Sequence, residues 1–159
     1  MGRDPVTAFV ALGANLGDAR AAVGRAFEAL AGLPGTRLMA RSRLYRSAPH
    51  EAGGPDFINA VARIDTLLTA PGLLDALRAL ENAAGRERPY ANAPRTLDLD
   101  LLLYGHARID SPRLTVPHPR LRGRAFVLLP LADVAPDRVL PADLQVVQAQ
   151  PIALLEDLP

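Results

Sequence analysis

Hydrophobic and polar positions alternate most clearly in "APRTLDLDLLLYG", residues 93–105, where leucines are interleaved with Asp98 and Asp100. A β-strand sends residues two apart to the same face, so this pattern predicts a strand carrying two carboxylates side by side. "VTAFVALGANLGD" opens with a short strand and runs into a glycine-containing loop. Residues 18–32 predict an amphipathic helix, with Asp18 as N-cap and Val23, Ala26, Phe27 and Leu30 as the apolar stripe. Residues 36–48 alternate and predict one long strand with an arginine-rich polar face, and "FINAVARIDTLL", residues 57–68, predicts the next. Pro71 then starts a helix that Gly85 ends.

Between these elements lie the turn-rich "PHEAGGPD" and the polar, aperiodic "RERPYANAP". After residue 105 the chain is punctuated by proline: a hairpin-like segment, a loop around "VPHP", and an apolar helix from about Gly123 to Asp133. The order β-α-β-β-α-β predicts an α+β, ferredoxin-like sandwich, with helices on one face of a mainly antiparallel sheet. The second and third strands should pair as a hairpin. A length of 159 residues suits a single domain, residues 1–159, with a weakly patterned tail from about residue 141.

Composition narrows the chemistry. An apolar content of 49% supports a real core, and the absence of cysteine removes disulfides and thiolate metal sites. No apolar run reaches membrane-spanning length and the start has no secretory pattern, so the expectation is a cytoplasmic protein that binds no membrane. Net charge is +1 and aromatics are 4% of the chain, which argues against a nucleic-acid partner. All 18 basic residues are arginine, so Schiff-base and P-loop lysine chemistry are excluded. "GANLGD" is correspondingly no Walker A loop.

The aspartate pair admits two readings. It is either the charged outer face of a half-buried strand or a site for a hard divalent cation, since Mg²⁺ commonly uses one or two carboxylates together with substrate phosphates and water. Aspartate is a poor strand former, and two on one face repel. Arg86, Arg88 and Arg95 precede the pair, and Arg113, His118, Arg120, Arg122 and Arg124 follow it. Each alone is an ordinary surface residue; together they place phosphate donors on both sides of a metal-competent strand. Glu81 reads as a surface salt bridge, Phe57 and Phe126 as core packing, and Asn59 as a local partner for the backbone. An amide between aromatic faces would also grip a flat, hydrogen-bonding heterocycle.

Six segments occur together and in order: "FVALGANLGD", "YRSAP", "PDFINAV", "LENAAGRER", "PRTLDLDLLLYG" and "LTVPHPRLRGRAFVLLPLADVAPD". In this the chain resembles the 6-hydroxymethyl-7,8-dihydropterin pyrophosphokinases of folate biosynthesis, from about Val6 to Pro141. The resemblance implies transfer of the β,γ-pyrophosphate of ATP to 6-hydroxymethyl-7,8-dihydropterin, releasing AMP, by a monomer. It implies that Asp98 and Asp100 hold two Mg²⁺ ions, and that Arg86 and Arg95 contact the phosphates during transfer. Glu81, Arg88, Arg113, Thr115, His118 and Arg124 match nucleotide-site positions, and Ser47, Phe57, Asn59 and Phe126 match the pterin pocket. "GANLGD", "PHEAGGPD" and "GRERPYANAP" are the segments that could close the site, and closure of the third would bring Arg86 and Arg88 onto the phosphates.

The chain also departs from the family pattern. It has Ala91, Asn92 and Ala93 where many members have Arg-Trp-Gly, Arg78 where glutamine is common, and Pro119 where an aromatic often follows the histidine. Two competing expectations are another Mg²⁺-dependent nucleotidyl or phosphoryl transferase, and a non-enzymatic ferredoxin-like binding module.

Overall fold

A computed structural model describes residues 4–15, 18–48, 56–85 and 97–155. In chain order these form β1 (Val6–Ala14), α1 (Ala19–Ala31), β2 (Thr36–Arg41), β3 (Tyr45–Ser47), β4 (Phe57–Thr66), α2 (Ala70–Ala84) and β5 (Asp98–Tyr104). They continue with β6 (Ile109–Asp110), β7 (Thr115–Val116), α3 (Ala125–Val134), α4 (Pro141–Val147) and β8 (Ala153–Leu154). Among the described residues one sheet has six strands in the order β5-β1-β4-β3-β8, with β2 also paired to β4. All of its pairings are antiparallel. The expected α+β class is present, and so is the antiparallel pairing of the 36–48 stretch with the strand that follows it.

Local signals placed the first two helices well. Asp18 caps α1 by accepting Ala21 N–H at 3.0 Å, and the α1 stripe that becomes buried is Ala22, Val23, Ala26, Phe27 and Leu30. Thr69 caps α2 through Gly72 N–H, with proline in the first turn and Leu73, Leu74, Leu77 and Glu81 facing inward.

Two expectations need correction. Helices cover both faces of the sheet rather than one. Ala8, Val10 and Leu12 of β1 pack with α1 and α2, whereas Phe9 of β1, Val61 of β4 and Leu102 of β5 pack with α3. The central strands are therefore buried on both sides, which needs a near-continuous apolar run such as "FINAVA" and not a clean alternation.

The long strand over residues 36–48 is broken into β2 and β3. Ser42 N–H donates to Val61 C=O at 2.9 Å, and the Ser42 hydroxyl accepts Val61 N–H at 2.8 Å. Arg43 turns out to clamp Asp133 of α3. The weakly patterned tail contributes α4 and β8. Val147 of α4 is buried against the α3 cluster, and β8 pairs with β3 through Arg46↔Ala153 and Tyr45↔Leu154. Among the described residues no helix is long and apolar enough to cross a membrane.

Candidate active site

The expected carboxylate strand is β5, an edge of the sheet. Its burial alternates as predicted: Asp98 exposed, Leu99 buried, Asp100 half-buried. Register then lines up residues across the sheet. Asp98 pairs with Gly13, Gly13 with Asn59, and Asn59 with Tyr45. Cross-strand partners share a face, so the aspartates and Asn59 look out on the α3 side.

There the sheet and the start of α3 enclose a cavity of about 590 Å³, within the ordinary range for a small-molecule site. Its lining includes Ser47, Phe57, Asn59, Asp98, Asp100, His118, Arg124 and Phe126. Eight residues singled out in the sequence, from four of the quoted segments, thus meet in one place.

One end is suited to a flat polar ring. Asn59 is 5% exposed, and its amide nitrogen donates to Ser47 Oγ at 2.8 Å. That bond orients the amide and leaves Oδ1 as an acceptor. Phe57 and Phe126 add aromatic surface, and Gly13 contributes no side chain to the floor. A Cβ there would lie 3.6 Å from Asn59 Oδ1 and 4.0 Å from Phe57 Cδ1.

The other end is charged. His118 is fixed to β5 by its N–H, which donates to Leu102 C=O at 3.0 Å. Its Nδ1 accepts Arg120 N–H at 3.1 Å, so the neutral ring carries its proton on Nε2. Burial and the nearby Arg124 and Arg120 push the His118 pKa down, against the opposing pull of Asp100. The Arg124 guanidinium lies over an aromatic face, 5.2 Å from the Phe126 centroid. Burial and Arg120 lower its pKa while Asp100 raises it, but an arginine so placed remains a cation at neutral pH.

The donor set fits a hard divalent cation. Among the described residues no hydrogen bond engages the Asp100 carboxylate, although His118 and Arg124 both feel its charge. No group of three or more acidic, histidine or cysteine side chains forms a cage among the described residues. Mg²⁺ commonly takes only one or two carboxylates, with phosphates and water completing its shell, and two carboxylates opening on a cavity suit that chemistry.

Other expected residues lie elsewhere. Glu81 is 5% exposed and does not line the cavity; its Oε2 accepts Leu99 N–H at 2.7 Å and its Oε1 accepts from Arg78 at 2.7 Å. The surface salt bridge expected for it is instead one whose carboxylate is buried at the back of β5 while Arg78 stays partly exposed. Arg78 also donates to Leu99 C=O at 3.1 Å, so the two side chains together hold both polar groups of the residue between the aspartates. Arg113 is exposed and pairs with Asp75, and Thr115 is exposed on β7. Neither lines the cavity. Arg86, Arg88 and Arg95 lie outside the described residues, as do most of the three loops expected to close the site.

Gln150 and Pro151 also line the cavity, and sequence reasoning missed both. They sit in the tail, where no periodicity marks them.

The sequence pattern defining the 7,8-dihydro-6-hydroxymethylpterin-pyrophosphokinase (HPPK) family matches residues 9–136. The chain belongs to the HPPK family. It is 52% identical over 134 residues to the 2-amino-4-hydroxy-6-hydroxymethyldihydropteridine pyrophosphokinase of Pseudomonas aeruginosa, covering 84% of this chain and 83% of that one. The protein of the same description from Methylorubrum extorquens is 46% identical, covering 84% and 85%. Among solved structures, the Plasmodium falciparum HPPK-DHPS protein superposes with a TM-score of 0.64 at 14% identity. That match covers 81% of this chain and 40% of the Plasmodium chain, and speaks to the fold alone. The matched residues run from within β1 through α3 and so include the sheet face, the carboxylate strand and the α3 wall of the cavity. The tail that supplies Gln150 lies beyond the matched residues.

Proposed function

We propose that this chain transfers pyrophosphate from ATP to 6-hydroxymethyl-7,8-dihydropterin, giving the pterin diphosphate and AMP, as a step of folate biosynthesis. The observation carrying the reading is that one cavity joins the Ser47–Asn59 amide and two phenylalanines to an aspartate pair with Arg124 and His118 beside it. An apolar slot with an oriented amide suits the pterin, and an acidic pair among cationic donors suits a metal-bound triphosphate.

In this reading Phe57 and Phe126 sandwich the bicycle, while Asn59, oriented by Ser47, reads its polar edge. Asp98 and Asp100 hold two Mg²⁺ ions, which when bound supply charge neutralisation and alignment of the phosphates. Arg124 and the Nε2–H of His118 donate to phosphate oxygens at the same end. Arg86, Arg88 and Arg95, by their match to the family, add further phosphate contacts, and Arg113 and Thr115 contact the nucleotide farther from the cavity. The substrate hydroxymethyl oxygen attacks the β-phosphorus, the bond to the α-phosphate oxygen breaks, and AMP leaves. No side chain is required as a nucleophile, so the protein's work is orientation and electrostatics.

Glu81 acts one layer back, by fixing the peptide between the metal-binding aspartates. The enzyme works as a monomer in the cytoplasm, as the resemblance to the family implies.

Phosphorus NMR of the enzyme with Mg·ATP and the reduced pterin tests the assignment. AMP and a pterin diphosphate are the expected products. ADP or free pyrophosphate would indicate a different transferase, and no turnover would leave a binding module.

A further inference from the structure

The tail is tied to both walls of the cavity. Gln150 Oε1 accepts Ala125 N–H at 2.9 Å, and Gln150 Nε2 donates to Gly123 C=O at 2.9 Å. One side-chain amide thus takes the place of a peptide neighbour for the backbone on either side of Arg124. That backbone needs a partner: α3 has no side-chain cap from its own N-cap residue, Arg124, and the first N–H groups of a helix have no partner within it. Pro151 lines the same cavity. Two residues later the chain joins the opposite wall, because β8 pairs with β3, and Leu155 N–H donates to Leu44 C=O at 2.9 Å. Strand β3 carries Ser47, which orients Asn59.

We propose that Gln150 is a positioning residue for the pterin slot: its amide fixes the 123–125 backbone and thereby the placement of Phe126 and Arg124 against the Phe57–Asn59 wall. It acts through these residues rather than on the reacting atoms. The inference rests on the reading of Phe57, Asn59 and Phe126 as the pterin pocket. Its consequence is that this enzyme recruits a segment outside the family-defining region to set the width of its substrate slot.

The test compares Gln150→Ala, Gln150→Met and Phe126→Ala in the full chain, with KM for the pterin, KM for Mg·ATP, kcat and melting temperature measured for each. Methionine keeps the length of glutamine but neither hydrogen bond. Loss of two backbone hydrogen bonds predicts a pterin KM raised about tenfold in both Gln150 variants. The KM for Mg·ATP should rise less, by about threefold at most, because Arg124 is one of several phosphate contacts and the aspartate strand is held separately by Glu81. If Gln150→Met behaves as wild type, only bulk is needed there and the proposal falls. If KM for both substrates and kcat change together in step with melting temperature, the residue is merely structural and the proposal falls. If Phe126→Ala weakens pterin use and the Gln150 variants do not, the pocket stands and the positioning role is wrong. If Phe126→Ala leaves the pterin KM unchanged, the pocket reading and the inference built on it both fall.

Discussion

Glu81 Oε2 accepts the backbone N–H of Leu99 at 2.7 Å, the one residue that separates Asp98 from Asp100. Arg78 completes the grip through Leu99 C=O. An edge strand offers its outward N–H and C=O groups to any partner; here a helix takes one such pair from behind and leaves the aspartates in front. The arginine that departs from the family's common glutamine therefore has a defined partner in this chain.

Removing that grip should be costly. Glu81→Ala leaves a buried N–H without its acceptor and is expected to cost about 2 kcal/mol of stability. Turnover should also need more Mg²⁺, since the two carboxylates lose their common spacing. Arg78→Ala should be milder, because that side chain is 46% exposed. Thermal unfolding together with Mg²⁺ titrations of the rate would check both; an unaltered Mg²⁺ dependence in folded Glu81→Ala would refute the positioning role.

Asp100→Asn separates folding from catalysis. It relieves like-charge repulsion with Asp98, so stability without metal should stay within about 0.5 kcal/mol of wild type. Stabilisation by Mg·ATP, about 2.7 kcal/mol at a hundred times the dissociation constant, should largely vanish. Turnover should fall by at least about a hundredfold. Differential scanning fluorimetry with and without Mg·ATP, followed by product assays, gives the comparison.

Gly13 forms the floor between Asn59 and Asp98. A single methyl group fits at van der Waals distance from its neighbours, so Gly13→Ala should change pterin KM less than about threefold. Gly13→Leu should occupy the slot and raise pterin KM by about a hundredfold or more, with Mg·ATP binding retained. Steady-state kinetics on the two variants distinguishes a filled slot from a damaged fold.

The clamp between β3 and α3 predicts a pH effect. Burial by itself would raise the Asp133 pKa, but hydrogen bonds from the Arg43 side chain and backbone and from the Tyr45 hydroxyl outweigh it and hold the pKa below the usual carboxylate value. A depressed folded-state pKa means stability that is present above the unfolded pKa of about 3.9 and is lost as pH falls through the folded value. Wild type should therefore exceed Asp133→Asn in stability at neutral pH, with the gap closing below about pH 4. Denaturant unfolding across pH 3–7 measures it, and a gap independent of pH would exclude the ionised clamp.

Much of the candidate site was legible in the order of residues along the chain. Alternation around Asp98 and Asp100 placed both carboxylates on one face, and Asp18 marked the first helix start. The family segments then singled out Ser47, Phe57, Asn59, His118, Arg124 and Phe126, and all of these line the cavity. What was not legible follows from non-local packing. The burial of Glu81 depends on an edge strand lying against α2, and the break at Ser42 depends on Val61 and Asp133 standing nearby. Two-sided burial of β1 and β4 misled the expectation of helices on one face, since alternation weakens when both faces are covered.

Periodicity, caps and motifs are short-range properties, so the sequence by itself determined most of the elements, the α+β class, the family and the carboxylate pair. Tertiary structure alone decided that Glu81 faces the back of β5, that helices cover both sides of the sheet, and that Gln150 reaches Gly123 and Ala125. The physical reason is that a lone side-chain amide or carboxylate carries no pattern. Its partner is chosen only when chain folding brings a distant, unsatisfied backbone group within hydrogen-bonding reach.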